Sequence, residues 1–219
     1  MRIQIWGHDG DRGGVNNEGG ALRPSATPAA RRRRQAIADA TLELLRDTDV
    51  EKIAVADVAE LAGVSVATVY NLVGPRERVL AAVLDGYIER LQHSLTASAT
   101  ADDANAVVEV FTTAAAQALA DPVPLRAVLR ELGPLRYTEH QGAGMEDVLL
   151  PRVRDLDDLR PDTTPESATR LLVYAFRGLL ISWAHGLITD TEFADDAREL
   201  AHRLLSACRR NDHERGATP

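Results

Sequence analysis

The sequence predicts an all-α protein, on three observations. Apolar residues recur at three- and four-residue spacing through most of the chain. Aromatic residues make up only 4% of it, and no stretch alternates apolar and polar residues over a strand's length. With 45% hydrophobic residues over 219 positions the chain can bury a core, built mainly from Leu, Val, Ile and Ala. No segment repeats at a fixed period.

The elements follow in order. Residues 1–30 read as a disordered leader, because Gly7, Gly10, Gly13, Gly14, Gly19 and Gly20 alternate with polar residues and no periodicity lasts a turn. Helical spacing begins at Arg31-Arg32-Arg33-Arg34 and places Ile37, Ala40, Thr41, Leu44 and Leu45 on one face. Asp47-Thr48-Asp49 breaks it. Val55, Val58, Ala59 and Ala62 form a short second stripe closed by Gly63, and Ser65 stands as N-cap for Val66–Leu72. Gly74-Pro75 opens a longer helix, with Pro at its first position and Val79, Leu80, Val83, Leu84, Tyr87, Leu91 and Leu95 inside.

Beyond residue 100, Asp103 caps a helix that buries Val107, Val110, Phe111, Ala114 and Ala118. Asp121-Pro122 starts the next, through Leu125, Val128, Leu129 and Leu132, and Gly133-Pro134 ends it. Residues 137–144 read as a loop and residues 145–159 as a helix that Pro151 kinks or divides. Thr164-Pro165-Glu166 opens the most apolar helix, running to about Gly186. Asp190 caps the last, with Phe193, Ala197, Leu200, Ala201, Leu204, Leu205 and Cys208 along one side.

Composition excludes several classes. The most apolar stretch, residues 171–188, is interrupted by Arg177, Ser182 and His185, which argues against a membrane span. The first residues lack the charged-then-apolar layout of a signal sequence, so a cytoplasmic protein is expected. A single cysteine, Cys208, leaves no internal disulfide and no zinc site of several thiolates. Lys52 is the only lysine and has no glycine-rich loop beside it, so a phosphate-binding loop is absent and no cofactor is predicted. Residues 1–80 carry eleven basic and eleven acidic side chains, whereas residues 81–219 carry fourteen and twenty-two. Any contact with a polyanion must therefore be a local surface near the N-terminus.

Residues 55–72 have the layout of a helix-turn-helix. Ala59 is small where the second helix crosses the first, and Gly63 supplies a turn residue four positions later. Val58, Ala62, Val64, Val69 and Leu72 occupy the packing positions. The other side of the second helix then presents Ser65, Val66, Ala67, Thr68, Tyr70 and Asn71.

With its surroundings, this segment resembles the TetR family of bacterial transcriptional regulators. The resemblance covers residues 34–86. It rests on Asp57-Val58-Ala59, Ala62-Gly63-Val64-Ser65, the recognition-helix core Thr68-Val69-Tyr70, and Arg76-Glu77-Arg78-Val79-Leu80 at the start of the fourth helix. Ala54 and Val55 depart from the family's hydroxyl cap, a loss typically worth about 1 kcal/mol. Val73 replaces a usual aromatic and Arg76 a usual lysine.

The resemblance implies a helix-turn-helix DNA-binding domain over residues 31–78, a ligand-sensing and dimerising body over residues 79–210, and a flexible tail over residues 211–219. It implies a homodimeric one-component regulator, a repressor rather than an activator, that binds a palindromic operator in double-stranded DNA and is released by a small-molecule effector. Arg33 and Arg34 would neutralise phosphates, with the Arg31–Arg34 run as a flexible arm able to enter a minor groove. Thr68 and Tyr70 would donate to phosphates. Ser65, Val66, Ala67 and Asn71 would face base edges, and Arg76 would hold a phosphate at a helix N-terminus. Tyr87, Phe111, Tyr137, His140, Met145, Trp183 and His185 are the side chains able to line an effector cavity.

Two other readings compete. A helical dimer with a vestigial helix-turn-helix could serve only ligand binding or protein contacts. A helical-bundle metal enzyme could use Glu199-Leu200-Ala201-His202, although a second copy of that word is missing. The regulator predicts no catalytic residue and no metal ligand.

Overall fold

The computed structural model describes residues 27–97, 103–137 and 144–210, and within them nine α-helices and no strand. The leader over residues 1–26, the tail over residues 211–219, His140 and the side chain of Tyr137 lie outside what is described. Among the described residues no single helix is long and apolar enough to cross a membrane.

Helix α1 (Pro28–Asp47) begins at Thr27, whose hydroxyl accepts the Ala30 N–H at 3.2 Å, with Pro28 as its first residue. The arginine run is therefore helical, not a flexible arm, because the cap and the proline start the helix three residues upstream of it. Of the expected stripe, Ile37, Ala40, Thr41 and Leu45 are buried and Leu44 is half-buried at its edge, and the Thr41 hydroxyl donates to the Ile37 carbonyl at 2.7 Å. After a single 3₁₀ turn at Val50–Lys52 come α2 (Val55–Leu61) and α3 (Val66–Leu72). Without a hydroxyl at Ala54, the Asp57 carboxylate accepts the Ala54 N–H at 3.0 Å and restores half a capping box.

The turn between α2 and α3 is made by Gly63 at φ +64°. Its N–H donates to the Glu60 carbonyl and that of Val64 to the Ala59 carbonyl, the two bonds of a Schellman motif. A Cβ on Gly63 would meet nothing within 4 Å, so only the left-handed backbone resists substitution. Gly63→Ala is accordingly expected to cost about 1–2 kcal/mol in a urea titration, with no change in oligomeric state.

Helix α4 (Arg76–Ala97) starts one residue after Pro75, whose carbonyl accepts the Arg78 and Val79 N–H groups; the proline thus sits at the cap and not inside. Its buried side carries Val79, Leu80, Val83, Leu84, Leu91 and Leu95, which belong to the one hydrophobic cluster that also holds Ile37 of α1 and Phe193 near the C-terminus. The body comprises α5 (Asp103–Ala120), α6 (Pro122–Tyr137), α7 (Met145–Arg154), α8 (Pro165–Ala184) and α9 (Asp190–Cys208). Gly133 bends α6 at φ 63° and helix resumes after it, where an ending was expected. Helix α7 stops at Arg154, five residues short of the predicted end, with Pro151 inside it.

The last helix is capped by Thr189 and not Asp190. The Thr189 hydroxyl accepts the Glu192 N–H at 3.2 Å, and the Glu192 carboxylate accepts the Thr189 N–H at 2.7 Å. Asp190 is thereby free for a tertiary role. The end of α9 is tied down by Arg209, whose Nε lies 2.8 Å from both oxygens of the buried Asp158, and by an isolated bridge between Leu159 and Arg209.

Candidate nucleic-acid interface

The axes of α2 and α3 turn through 101°, within the usual range for a helix-turn-helix. What holds α3 is Val69, which is fully buried, together with the half-buried Leu72. What it leaves out is the opposite side. Ser65, Ala67 and Asn71 are exposed, Val66 retains 41% of its surface and Tyr70 53%. An exposed valine and tyrosine on one short helix form an apolar, water-facing strip that the fold itself does not use.

Ser65 caps this helix, accepting the Thr68 N–H at 3.1 Å, and the two hydroxyls lie 2.8 Å apart. The C-terminal end is held from α1, where Arg34 Nε donates to the Leu72 carbonyl at 2.9 Å. That bond carries the four exposed arginines of the first turns of α1 alongside the end of α3. No acidic residue offsets them in that first turn. Arg31, closing the first turn of α1, opposes the helix dipole by up to about 0.3–1 kcal/mol, and the four guanidinium groups together form a cationic patch that a bound polyanion neutralises.

No protein-family model matches the sequence, and no curated protein matches it either. Solved structures do. The chain is similar to FadR of Thermus thermophilus, a TetR-family transcriptional repressor solved with lauroyl-CoA, at 19% identity and a TM-score of 0.62, covering 77% of this chain and 93% of that one. It is similar to a TetR regulator from Rhodococcus sp. RHA1 at 20% identity and a TM-score of 0.63, covering 80% and 97%. The TetR-family repressor QsdR of R. erythropolis aligns at 23% identity and a TM-score of 0.57, covering 85% and 100%. The fold is that of the TetR regulators.

Within this TetR-like fold Arg76 does not face outward. Its Nε donates to the Ile53 carbonyl at 3.1 Å, Nη2 to the Val50 carbonyl, and Nη1 pairs with Glu131 at 2.6 Å. All three nitrogens are engaged, so the predicted phosphate ligand is instead a clamp between the 3₁₀ turn, α4 and α6. The two carbonyls sit just past the end of α1, where a sequence pattern gives no sign of them. Arg76→Ala leaves both without that partner and is expected to lower stability by about 1–3 kcal/mol, read as a shift in the urea midpoint.

Helix α6 joins the TetR-like head to the far end of the body. On the head side Arg46 pairs with Asp121 at 2.6 Å and Arg76 with Glu131. On the other, Arg126 pairs with Asp190 at 2.7 Å and Arg130 donates to the Ala184 carbonyl at the end of α8. The half-exposed Arg46 pair contributes little to stability. Its relevance is geometric, because a shift of α6 moves both of its attachments to the head.

Of the seven side chains expected around an effector, the five within the described residues do not line one cavity. Phe111 and Trp183 are fully buried and Met145 nearly so. Phe111 meets Phe176 edge-on at 5.0 Å, and Trp183 stacks on Phe193 at 4.8 Å, so their faces are taken by one another. His185 is exposed at the C-cap of α8. Tyr87 borders an open groove of about 690 Å³ between α1, α4 and the end of α5, with Asp39, Arg46, Arg90, His93 and Asp121 around it. Burial, and then the Asp121 carboxylate, push the Tyr87 hydroxyl up to about 12, so at neutral pH it remains a donor to the Asp121 carbonyl at 3.2 Å. Glu199, from the possible metal-binding word, is exposed and paired with Arg203 at 2.5 Å, with His202 also on the outer surface.

Proposed function

We propose that this protein is a cytoplasmic one-component transcriptional repressor that binds a palindromic operator as a homodimer and leaves it when a small-molecule effector enters the C-terminal body. The observation that carries the reading is α3 standing clear of the core, with Val66, Ala67, Tyr70 and Asn71 turned to solvent beside the arginines of α1. A helix so placed fits the major groove of B-DNA. Ser65, Val66, Ala67 and Asn71 address base edges, Thr68 and Tyr70 donate to phosphates, and Arg33 neutralises phosphates with the free part of Arg34. Arg76 is a positioning residue. Arg76→Ala should leave the dependence of DNA affinity on salt unchanged, whereas loss of a phosphate contact would flatten the log–log slope by about one.

The dimer rests on α8. One side buries Ala168, Leu172, Val173, Phe176, Leu180 and Trp183, while the other exposes Leu171 at 51% and Tyr174 at 58%, with Gly178 one turn further. Such a stripe on a helix already buried along its other side calls for a cover. A two-fold copy provides it and sets the two α3 helices about 34–36 Å apart, one turn of DNA. FadR of Thermus thermophilus was solved with lauroyl-CoA. A comparable small molecule in this body would act by displacing α6 and with it the Arg46 and Arg76 attachments of the head.

The test is selection from a random duplex library, followed by anisotropy on the enriched sequence. A palindromic site bound by a dimer is expected. The double variant Leu171→Glu with Tyr174→Glu should sediment as a monomer and lose that site. A monomeric wild-type protein would refute the reading, and a dimer with no preference over random duplex would refute it in favour of a protein-contact module.

A further inference from the structure

Between Leu61 and Pro75 the chain carries no charged side chain and no glutamine. Arginine or lysine bidentate to O6 and N7 is the commonest way to read guanine in the major groove, and this helix offers neither. Its hydrogen-bonding capacity is small and partly spent. Ser65 and Thr68 use one of their two hydroxyl protons on each other, and the Ser65 oxygen also holds the Thr68 N–H. Asn71 is left as the one side-chain amide. The remaining exposed surface is apolar, namely Val66 at 41%, the Ala67 methyl and the Tyr70 ring.

We propose that each operator half-site is recognised chiefly through thymine 5-methyl groups packed against Val66 and Ala67, with an adenine taken by Asn71. This rests on the DNA-binding reading above and specifies what that surface selects. The thymine methyl is the one apolar feature on the major-groove edge of the four bases, so an apolar strip distinguishes A·T pairs by burying it. Ala67 and Asn71 lie four residues apart on one face of α3, about 6 Å along the axis, which is nearly two base steps. The pattern expected is a thymine followed at that spacing by an adenine, on either strand.

The selection is run in parallel on duplex libraries copied with thymidine or with deoxyuridine, which differ only in the methyl. From the thymidine library a thymine-containing half-site should be enriched, and replacing its contacted thymines by uracil should weaken binding about three- to fivefold per methyl. Val66→Ser changes an exposed first residue of α3, so the fold should survive. That variant should bind the thymine and uracil forms more nearly alike, with a smaller drop than the wild type shows. Equal wild-type affinity for both forms, or a half-site of G·C pairs, would overturn methyl readout while leaving DNA binding intact. Failure to enrich any sequence from either library would overturn both.

Discussion

Trp183→Ala is expected to be the most destabilising single substitution among those considered, costing about 3–5 kcal/mol. The side chain is fully buried and stacks on Phe193 with ring planes 18° apart. Its indole N–H donates to Asp190 at 2.8 Å, and the Arg126 guanidinium lies 4.4 Å from its ring centre. Truncation therefore leaves a cavity and also removes a face from Arg126 and a donor from Asp190. Against a typical total of about 5–15 kcal/mol, such a loss lowers the unfolding midpoint steeply. A chemical denaturation curve within about 1 kcal/mol of wild type would show that the cluster is not packed as described.

Tyr70→Ala is expected to do the reverse, sparing stability and removing DNA binding. At 53% exposure the ring contributes little to the core, so the unfolding free energy should stay within about 0.5 kcal/mol of wild type. An interface contact of about 2 kcal/mol corresponds to roughly thirtyfold in affinity. Two distant heads acting additively bring that to about a thousandfold for a dimer on a two-sided site. Anisotropy on the enriched duplex, beside a melting curve, separates the two quantities. Unchanged affinity would remove α3 from the interface.

The two substitutions mark how much was readable from residues alone. Buried stripes such as Ile37–Ala40–Leu45 and Phe193–Ala197–Ala201 follow directly from helical spacing, because burial of one face is a local consequence of 3.6 residues per turn. The turn at Gly63 was legible for the same reason, as was the exposure of Tyr70 opposite Val69. Arg76 was not. Its placement at a helix start suggested an anion, but the nearest acceptors turned out to be Val50, Ile53 and Glu131, up to 55 positions away. The aromatic residues of the body were equally ambiguous. A phenylalanine facing a cavity and one facing another ring share the same pattern along a helix, and only the crossing of α5, α8 and α9 placed Phe111, Phe176 and Phe193 against one another.

What the order of residues determined unaided is the set of helices, most of their ends, and a short uncharged segment turned outward near the front of the chain. Those properties depend on neighbours within about four positions, where caps, turns and periodicity act. What only the assembled structure decided is which polar groups are consumed internally and which face of α8 stays bare. Distant segments must first be packed together before a guanidinium has a carbonyl to meet, or before a leucine such as Leu171 is left outside the chain's own core.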